Sequence, residues 1–291
     1  MDLARSSFYA AKKAKRENDR LDNEIWKEIC TLWKKFPGIG YRKICRYLPI
    51  GKKRIQKILR KFRGKGKVKT KKKRSVRKYP NLLIHITNEL IKYPEKLKRG
   101  NWVLKDGING YRKLIEPVRP YQLWAADWKE YKIPVIGLTI YIFAIIDCYT
   151  RQLMGFNFSL TKDSNSALVA AEMAFRKASK DSFFNSRNLI IHSDGGGAYR
   201  SDEYTNYWKG LGVSISMADP GKPTQNPYIE AFFSILTRFW LNQYEITSAV
   251  KIEKSLTRFF NLYNREWKHS SIDYKTPDEY LLIYKMENHI S

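Results

Sequence analysis

The chain has 291 residues, enough for two or three folded units with at least one sizeable core. Its formal charge is +27, of which residues 1–80 carry +22 (28 Lys and Arg against 6 Asp and Glu), whereas residues 121–291 are close to neutral (19 against 18). No run of about 18 apolar residues and no apolar N-terminal stretch is present, which argues against membrane spans and a signal peptide and leads us to expect a soluble, cytoplasmic protein with no membrane partner.

A positive field concentrated at one end implies a module that sits on a polyanion, with nucleic acid ahead of an anionic membrane. Cys30, Cys45 and Cys148 are odd in number and lack CxxC spacing, so neither a disulfide framework nor a zinc module is indicated. In residues 22–35, Ile25, Ile29, Leu32 and Trp33 recur at helical spacing, with Asp22 or Asn23 available as a cap. After Phe36-Pro37-Gly38-Ile39-Gly40, YRKICRYL and KKRIQKILRKF form two short amphipathic segments separated by Pro49-Ile50-Gly51, the pattern of a helix-turn-helix. The second segment carries Lys52, Lys53, Arg54, Lys57, Arg60 and Lys61 on its non-core faces, as a recognition helix in a major groove would. A solvated charged face on a structural helix is the alternative. Residues 1–62 are thus expected to form a small helical DNA-binding region.

Residues 63–80 are dominated by Lys and Arg and cannot build a core, so they are expected to be a flexible linker attracting phosphate without reading sequence. Residues 81–120 contain one short helical pattern, NLLIHITNELIKY, and are read as a connecting segment. From Tyr121 the pattern changes: QLWAADWKEYKI, LTIYIFAIIDCY and QLMGFNFSL alternate as three successive strands. Helical and extended segments then interleave (166–177, NLIIHSD, 203–209, VSISM), and two longer helices follow at about 227–245 and 249–267. Residues 121–291 are therefore expected to fold as an α/β unit, a mixed sheet flanked by helices.

Three acids in this unit occupy unusual places. Asp127 lies inside a strand between Trp124 and Trp128, Asp194 ends the apolar run LIIH before three glycines, and Glu230 stands early in a long helix after a Pro-rich loop. Phosphodiester transfer needs an activated oxygen nucleophile and a stabilised leaving oxygen, which two hard cations about 4 Å apart can supply. Mg2+ or Mn2+ can be held by a few carboxylates, without a His or Cys cluster. Spacing alone proves little, because 28 acids in 291 residues give roughly three pairs at any chosen separation by chance. Two strand-capping aspartates and a surface ion pair at Glu230 remain an equal alternative on these residues alone.

The surrounding segments narrow the choice. AADWKEY, IHSDGGGAY and PGKPTQNPYIEAFFSIL resemble the three signature segments of the DDE-type integrase and transposase superfamily, and YNREWKHSSIDYKTPDEYL is similar to the C-terminal segment of its insertion-sequence transposases, with its Asn-Arg, His and Thr-Pro positions. LARSSFYAAKK and GYRKICRYL resemble the N-terminal part of their catalytic subunit. The resemblance implies a ribonuclease H-like core and a metal-binding catalytic triad of Asp127, Asp194 and Glu230, with two Mg2+ or Mn2+ ions per active site. It also places Lys222 at DNA phosphate, gives Asp147 no ligand role and leaves it to pair locally, with Arg151 as a candidate partner. His192 and His269 are read as structural histidines ahead of site residues. The implied activity is strand cleavage that frees a 3′-hydroxyl, followed by its attack on another phosphodiester. Implied partners are double-stranded DNA at the element ends and target, further copies of the chain, and a subunit from an upstream reading frame, since no leucine-zipper helix precedes Arg5. A bacterial, nucleoid-associated setting follows from the same resemblance. Two other readings share these features: a DNA-binding regulator with an inactive core, and a ribonuclease H-type nuclease.

Overall fold

The computed structural model describes residues 2–36, 39–62, 78–95, 102–106, 113–133, 137–219, 223–243 and 248–290. The chain divides into two compact units, Met1–Thr70 with Thr237–Tyr244, and Lys71–Leu236 with Glu245–Ser291.

The first unit holds helices α1 (Asp2–Lys35), α2 (Tyr41–Tyr47) and α3 (Lys52–Phe62). Helix α1 begins 20 residues before the expected start at Asp22, because the stretch before it contains neither Gly nor Pro and nothing stops the helix. Asp22 is therefore not a cap. It lies mid-helix, 1% exposed, and accepts Arg54 Nε at 3.1 Å with Lys57 Nζ at 3.5 Å, which compensates its burial. The apolar stripes of the three helices meet in a core of Ile29, Phe36, Ile39, Ile44, Ile55 and Ile58. Trp26 stacks on Phe62 at 4.8 Å, and the Trp33 indole N–H donates to the Ile39 carbonyl at 3.0 Å.

The second unit opens with α4 (Leu82–Lys92), capped by the Asn81 side chain. Strands β1 (Val103–Asp106) and β2 (Lys113–Glu116) then pair antiparallel, so the expected connecting segment contains a two-stranded sheet of its own. The main sheet comprises β3 (Leu123–Ile133), β4 (Leu138–Asp147), β5 (Leu153–Ser159), β6 (Ile190–Ser193) and β7 (Ser214–Met217), in the order β5-β4-β3-β6-β7. The first three form an antiparallel meander, and β6 and β7 add in parallel on the far side of β3. The parallel pairings require crossovers, supplied by α5 (Ser164–Ala178) and by α6 (Gly197–Arg200) with α7 (Asp202–Gly210).

Strand alternation sends Trp124, Ala126 and Trp128 of β3 to one face, where they join Phe143, Ile145, Ile191 and the alanines 167, 170, 171, 174 and 178 of α5 in a continuous core. The small residues let α5 lie close: a Cβ on Gly155 of β5 would stand 1.9 Å from the Ala170 carbonyl oxygen. Leu123, Ala125 and Asp127 project to the opposite face. There Phe156 of β5 meets Phe260 of α9 (Ala249–Glu266) at 3.9 Å, and Phe232 of α8 (Pro227–Phe239) packs on Tyr263 of α9 at 4.9 Å. Helix α10 (Pro277–Glu287) closes the chain, with Tyr280 and Tyr284 against Tyr149.

Candidate active site

Asp127 lies within β3, and Asp194 follows β6, the strand that pairs with β3 in parallel. The parallel ladder between β3 and β6 pairs Leu123 with Ile190, Trp124 with Ile191 and Ala125 with His192. Asp127 lies two residues beyond the last paired position of β3, and Asp194 directly follows the end of β6 at Ser193. The placement follows from sequence at two levels: the apolar runs make the strands, and the glycines after Asp194 release the chain where β6 ends. Asp194 accepts the Gly196 N–H at 2.8 Å, and Asp127 Oδ1 accepts the Trp128 N–H at 2.7 Å.

Glu230 arrives on α8. The helix begins at Pro227, whose missing N–H costs nothing in a first turn. Just before it, Asn226 is buried, donates its side-chain amide to the Ala126 carbonyl at 3.2 Å and accepts the Glu230 N–H on its own carbonyl. The residue preceding Asp127 thus holds the turn that carries Glu230. Glu230 remains exposed to solvent, while atoms packed on its inner side raise its carboxyl above the usual glutamate range.

Among the described residues, no three His, Cys, Asp or Glu side chains stand close enough together to form a ready-made metal cage. Asp127 is placed by β3, Asp194 by the turn that follows β6, and Glu230 by the first turn of α8. Carboxylate oxygens of this kind suit a hard divalent cation. Lys222 lies outside the described residues, as do residues 63–77 of the basic linker.

Other residues singled out from sequence have structural work. Asp147 is fully buried and accepts the backbone N–H groups of Tyr121 (2.7 Å), Tyr149 (3.0 Å) and Thr150 (2.8 Å) and the Thr150 hydroxyl. Burial outweighs these donors and raises its carboxyl. The Arg151 side chain instead donates to Ser271 and lies 4.5 Å from the Tyr228 ring centre, so the expected Asp147–Arg151 partnership is replaced by a turn closed through backbone amides. His192 is buried and lies 2.8 Å from Ser216 Oγ, which in turn accepts the Leu82 N–H at the start of α4; burial lowers its pKa to about 4. His269 bridges to Lys275 through its backbone and packs its ring on Tyr263 at 5.3 Å.

The C-terminal segment is likewise structural. Asn264 clamps β5 by accepting the Leu153 N–H at 2.8 Å and donating to the Leu153 carbonyl at 2.9 Å. Thr276 and Glu279 cap α10 reciprocally, with Pro277 in the first turn. Of the six basic residues of α3, Arg54 and Lys57 turn back to Asp22 and Lys61 bonds Asp19 at 2.6 Å, while Lys52, Lys53 and Arg60 are exposed. Two site features escape a reading of the sequence: Asn226, signalled only by its place before a helix-opening proline, and Tyr199, hidden in a glycine-rich turn.

An antiparallel three-strand meander extended by two parallel strands, with helices packed on the sheet, defines a ribonuclease H-like fold. Residues 117–223 match the family described as "Integrase core domain", and residues 211–277 match a second family of the same description. The putative transposase InsK of insertion element IS150 from Escherichia coli K12 is 24% identical over 287 residues, covering 96% of this chain and 90% of that protein. The transposase of element IS904 from Lactococcus lactis is 24% identical, covering 59% of this chain and 66% of its own length. Solved structures with similarity include a simian T-cell lymphotropic virus intasome (TM-score 0.48, 15% identity, 57% of this chain and 56% of that chain) and the HTLV-2 integrase catalytic core (TM-score 0.43, 15% identity, 56% and 97%). The chain thus carries an integrase core domain and is similar to insertion-sequence transposases. Among the described residues no helix is long and apolar enough to cross a membrane.

Proposed function

We propose that this transposase cleaves and joins DNA strands at the ends of a mobile element, with Asp127, Asp194 and Glu230 as its metal-binding carboxylates. The reading is supported by Asp127 within β3 and Asp194 directly after the parallel neighbour β6, with the turn before Glu230 bonded to the residue preceding Asp127. A divalent metal, two Mg2+ or Mn2+ ions in this reading, would supply Lewis acidity at the attacking and leaving oxygens when bound. The chain's own part is to hold carboxylate oxygens in place, one within β3, one directly after β6 and one on the first turn of α8. Ser, Tyr and Cys side chains need not act as nucleophiles, because water and then a DNA 3′-hydroxyl fill that role.

DNA binding falls to the basic N-terminal region in this reading. The helix pair α2–α3 would dock with Lys52, Lys53 and Arg60 toward DNA, and residues 63–80, together with Lys222, would add phosphate contacts that weaken with salt. Joining two element ends calls for more than one copy of the chain. An accessory subunit from an upstream frame and action at the nucleoid rest on the resemblance alone.

The test is strand cleavage of a labelled duplex carrying the element's terminal sequence, with Mg2+, by the full chain and by Asp127→Asn, Asp194→Asn and Glu230→Gln. Each variant is expected to retain DNA binding and lose cleavage. Cleavage surviving in any one of them removes that residue from the triad.

A further inference from the structure

Tyr199 has no accessible surface, yet its hydroxyl ends at a carboxylate of the site. Its ring, on α6, packs against Phe143 and Tyr204, each at 5.8 Å between ring centres. The hydroxyl donates to Asp127 Oδ1 at 3.4 Å, and that same oxygen accepts the Trp128 N–H. Two donors from separate elements thus converge on one carboxylate oxygen and restrict the rotation of its plane.

The turn between Asp194 and Tyr199 is shaped to deliver this contact. Gly196 donates its N–H to Asp194, and a Cβ there would sit 2.9 Å from the Asp194 carboxylate oxygen and 3.4 Å from the Tyr199 ring. The absence of a side chain lets the tyrosine fold back over the acid that begins the turn. A ring alone would fill the core equally well; a hydroxyl brought into an apolar cluster has to be compensated, and its partner here is Asp127.

We propose that Tyr199 is a positioning residue of the catalytic centre, whose hydroxyl orients Asp127 beside Asp194 for metal binding while its ring supports the core. The inference rests on the reading of these two aspartates as metal ligands. It assigns the hydroxyl, and not the ring, the effect on the site.

Mn2+ binding to the full-length chain, followed by electron paramagnetic resonance of the free ion, tests it without relying on turnover. Tyr199→Phe keeps the ring, and half-saturation is expected to require about tenfold more Mn2+, the scale of losing a group that orients a ligand. High Mn2+ should then return strand cleavage toward the parent rate, a split between metal demand and turnover that a purely structural defect does not produce. Tyr204→Phe removes a neighbouring hydroxyl of equal burial from the same cluster and is expected to leave the titration unchanged. Superimposable titrations for the parent and Tyr199→Phe, or equal weakening by Tyr204→Phe, overturn the proposal. Asp194→Asn run in parallel separates the two levels. If it binds Mn2+ like the parent, the metal reading itself fails; if it loses Mn2+ while Tyr199→Phe does not, only the role of the tyrosine fails.

Discussion

Asn226 donates its side-chain amide to the carbonyl of Ala126 at 3.2 Å, joining the residue that precedes α8 to the residue that precedes Asp127. Because the Asn226 carbonyl also accepts the Glu230 N–H, the first turn of α8 is referenced to β3 through one side chain. Replacing it with Ala removes the donor and leaves a buried carbonyl less satisfied, at a cost of about 1–2 kcal/mol in unfolding free energy. Metal-dependent cleavage should fall more than this loss of folded protein explains, with all three acids intact. Asn226→Asp lacks the donor and should behave like the Ala variant; normal cleavage by either would show that α8 is held in other ways.

Gly155 tests the close approach of α5 to the sheet. A Cβ would lie 1.9 Å from the backbone oxygen of Ala170, which cannot swing aside as a side chain could. Gly155→Ala is expected to destabilise the second unit by about 1–3 kcal/mol, as overpacking does. Chemical denaturation of the full chain measures it, and an unshifted transition would mean that helix and strand separate at little cost.

The basic residues of α3 should divide by their partners. Lys52→Ala, Lys53→Ala and Arg60→Ala together are expected to weaken DNA binding and to flatten its salt dependence by a slope of about 0.9 for each phosphate that is no longer neutralised. Arg54→Ala should instead lower stability by about 1–3 kcal/mol, because it removes a partner from the buried Asp22 carboxylate. Equal effects of both sets on DNA affinity, with no difference in stability, would contradict this division.

Lys43 on α2 gives a pH signature. Burial lowers its ammonium pKa to about 6, whereas an unfolded chain keeps the ordinary value of 10.5. Between these values the unfolded state binds the extra proton, so the contribution of this group to stability rises with pH across the window. Lys43→Met should therefore raise the unfolding midpoint at about pH 7 and gain less at about pH 9.5. The gain is modest because the residue keeps partial exposure. A pH-independent gain would mean that the lysine is charged in the folded chain.

Local patterns were legible without coordinates. Helices α2 and α3 follow from apolar residues at helical spacing on either side of a Pro-Ile-Gly turn, and β3, β4 and β5 follow from alternating apolar runs, since each depends on a few neighbouring residues. The three acid-bearing segments also stood out, each at a strand or helix position where an apolar neighbourhood makes a carboxylate conspicuous. The segregation of charge into residues 1–80 was visible for the same reason, being a property of composition and not of folding.

Tertiary structure decided the rest. That the strand bearing Asp127 neighbours the strand preceding Asp194 depends on β6 joining β3 in parallel after a crossover through α5, a pairing such as Ala125 with His192, 67 positions apart, that no local period encodes. Asp147 and His192 already read from the sequence as local or structural groups, but polar groups among apolar ones do not announce their partners. The fold supplies those partners: the amides after β4 for Asp147, Ser216 for His192 and the backbone of Leu153 for Asn264. Tyr199 is the converse case. One more aromatic in a glycine-rich stretch draws no notice until the fold returns its hydroxyl to Asp127, 72 residues earlier in the chain.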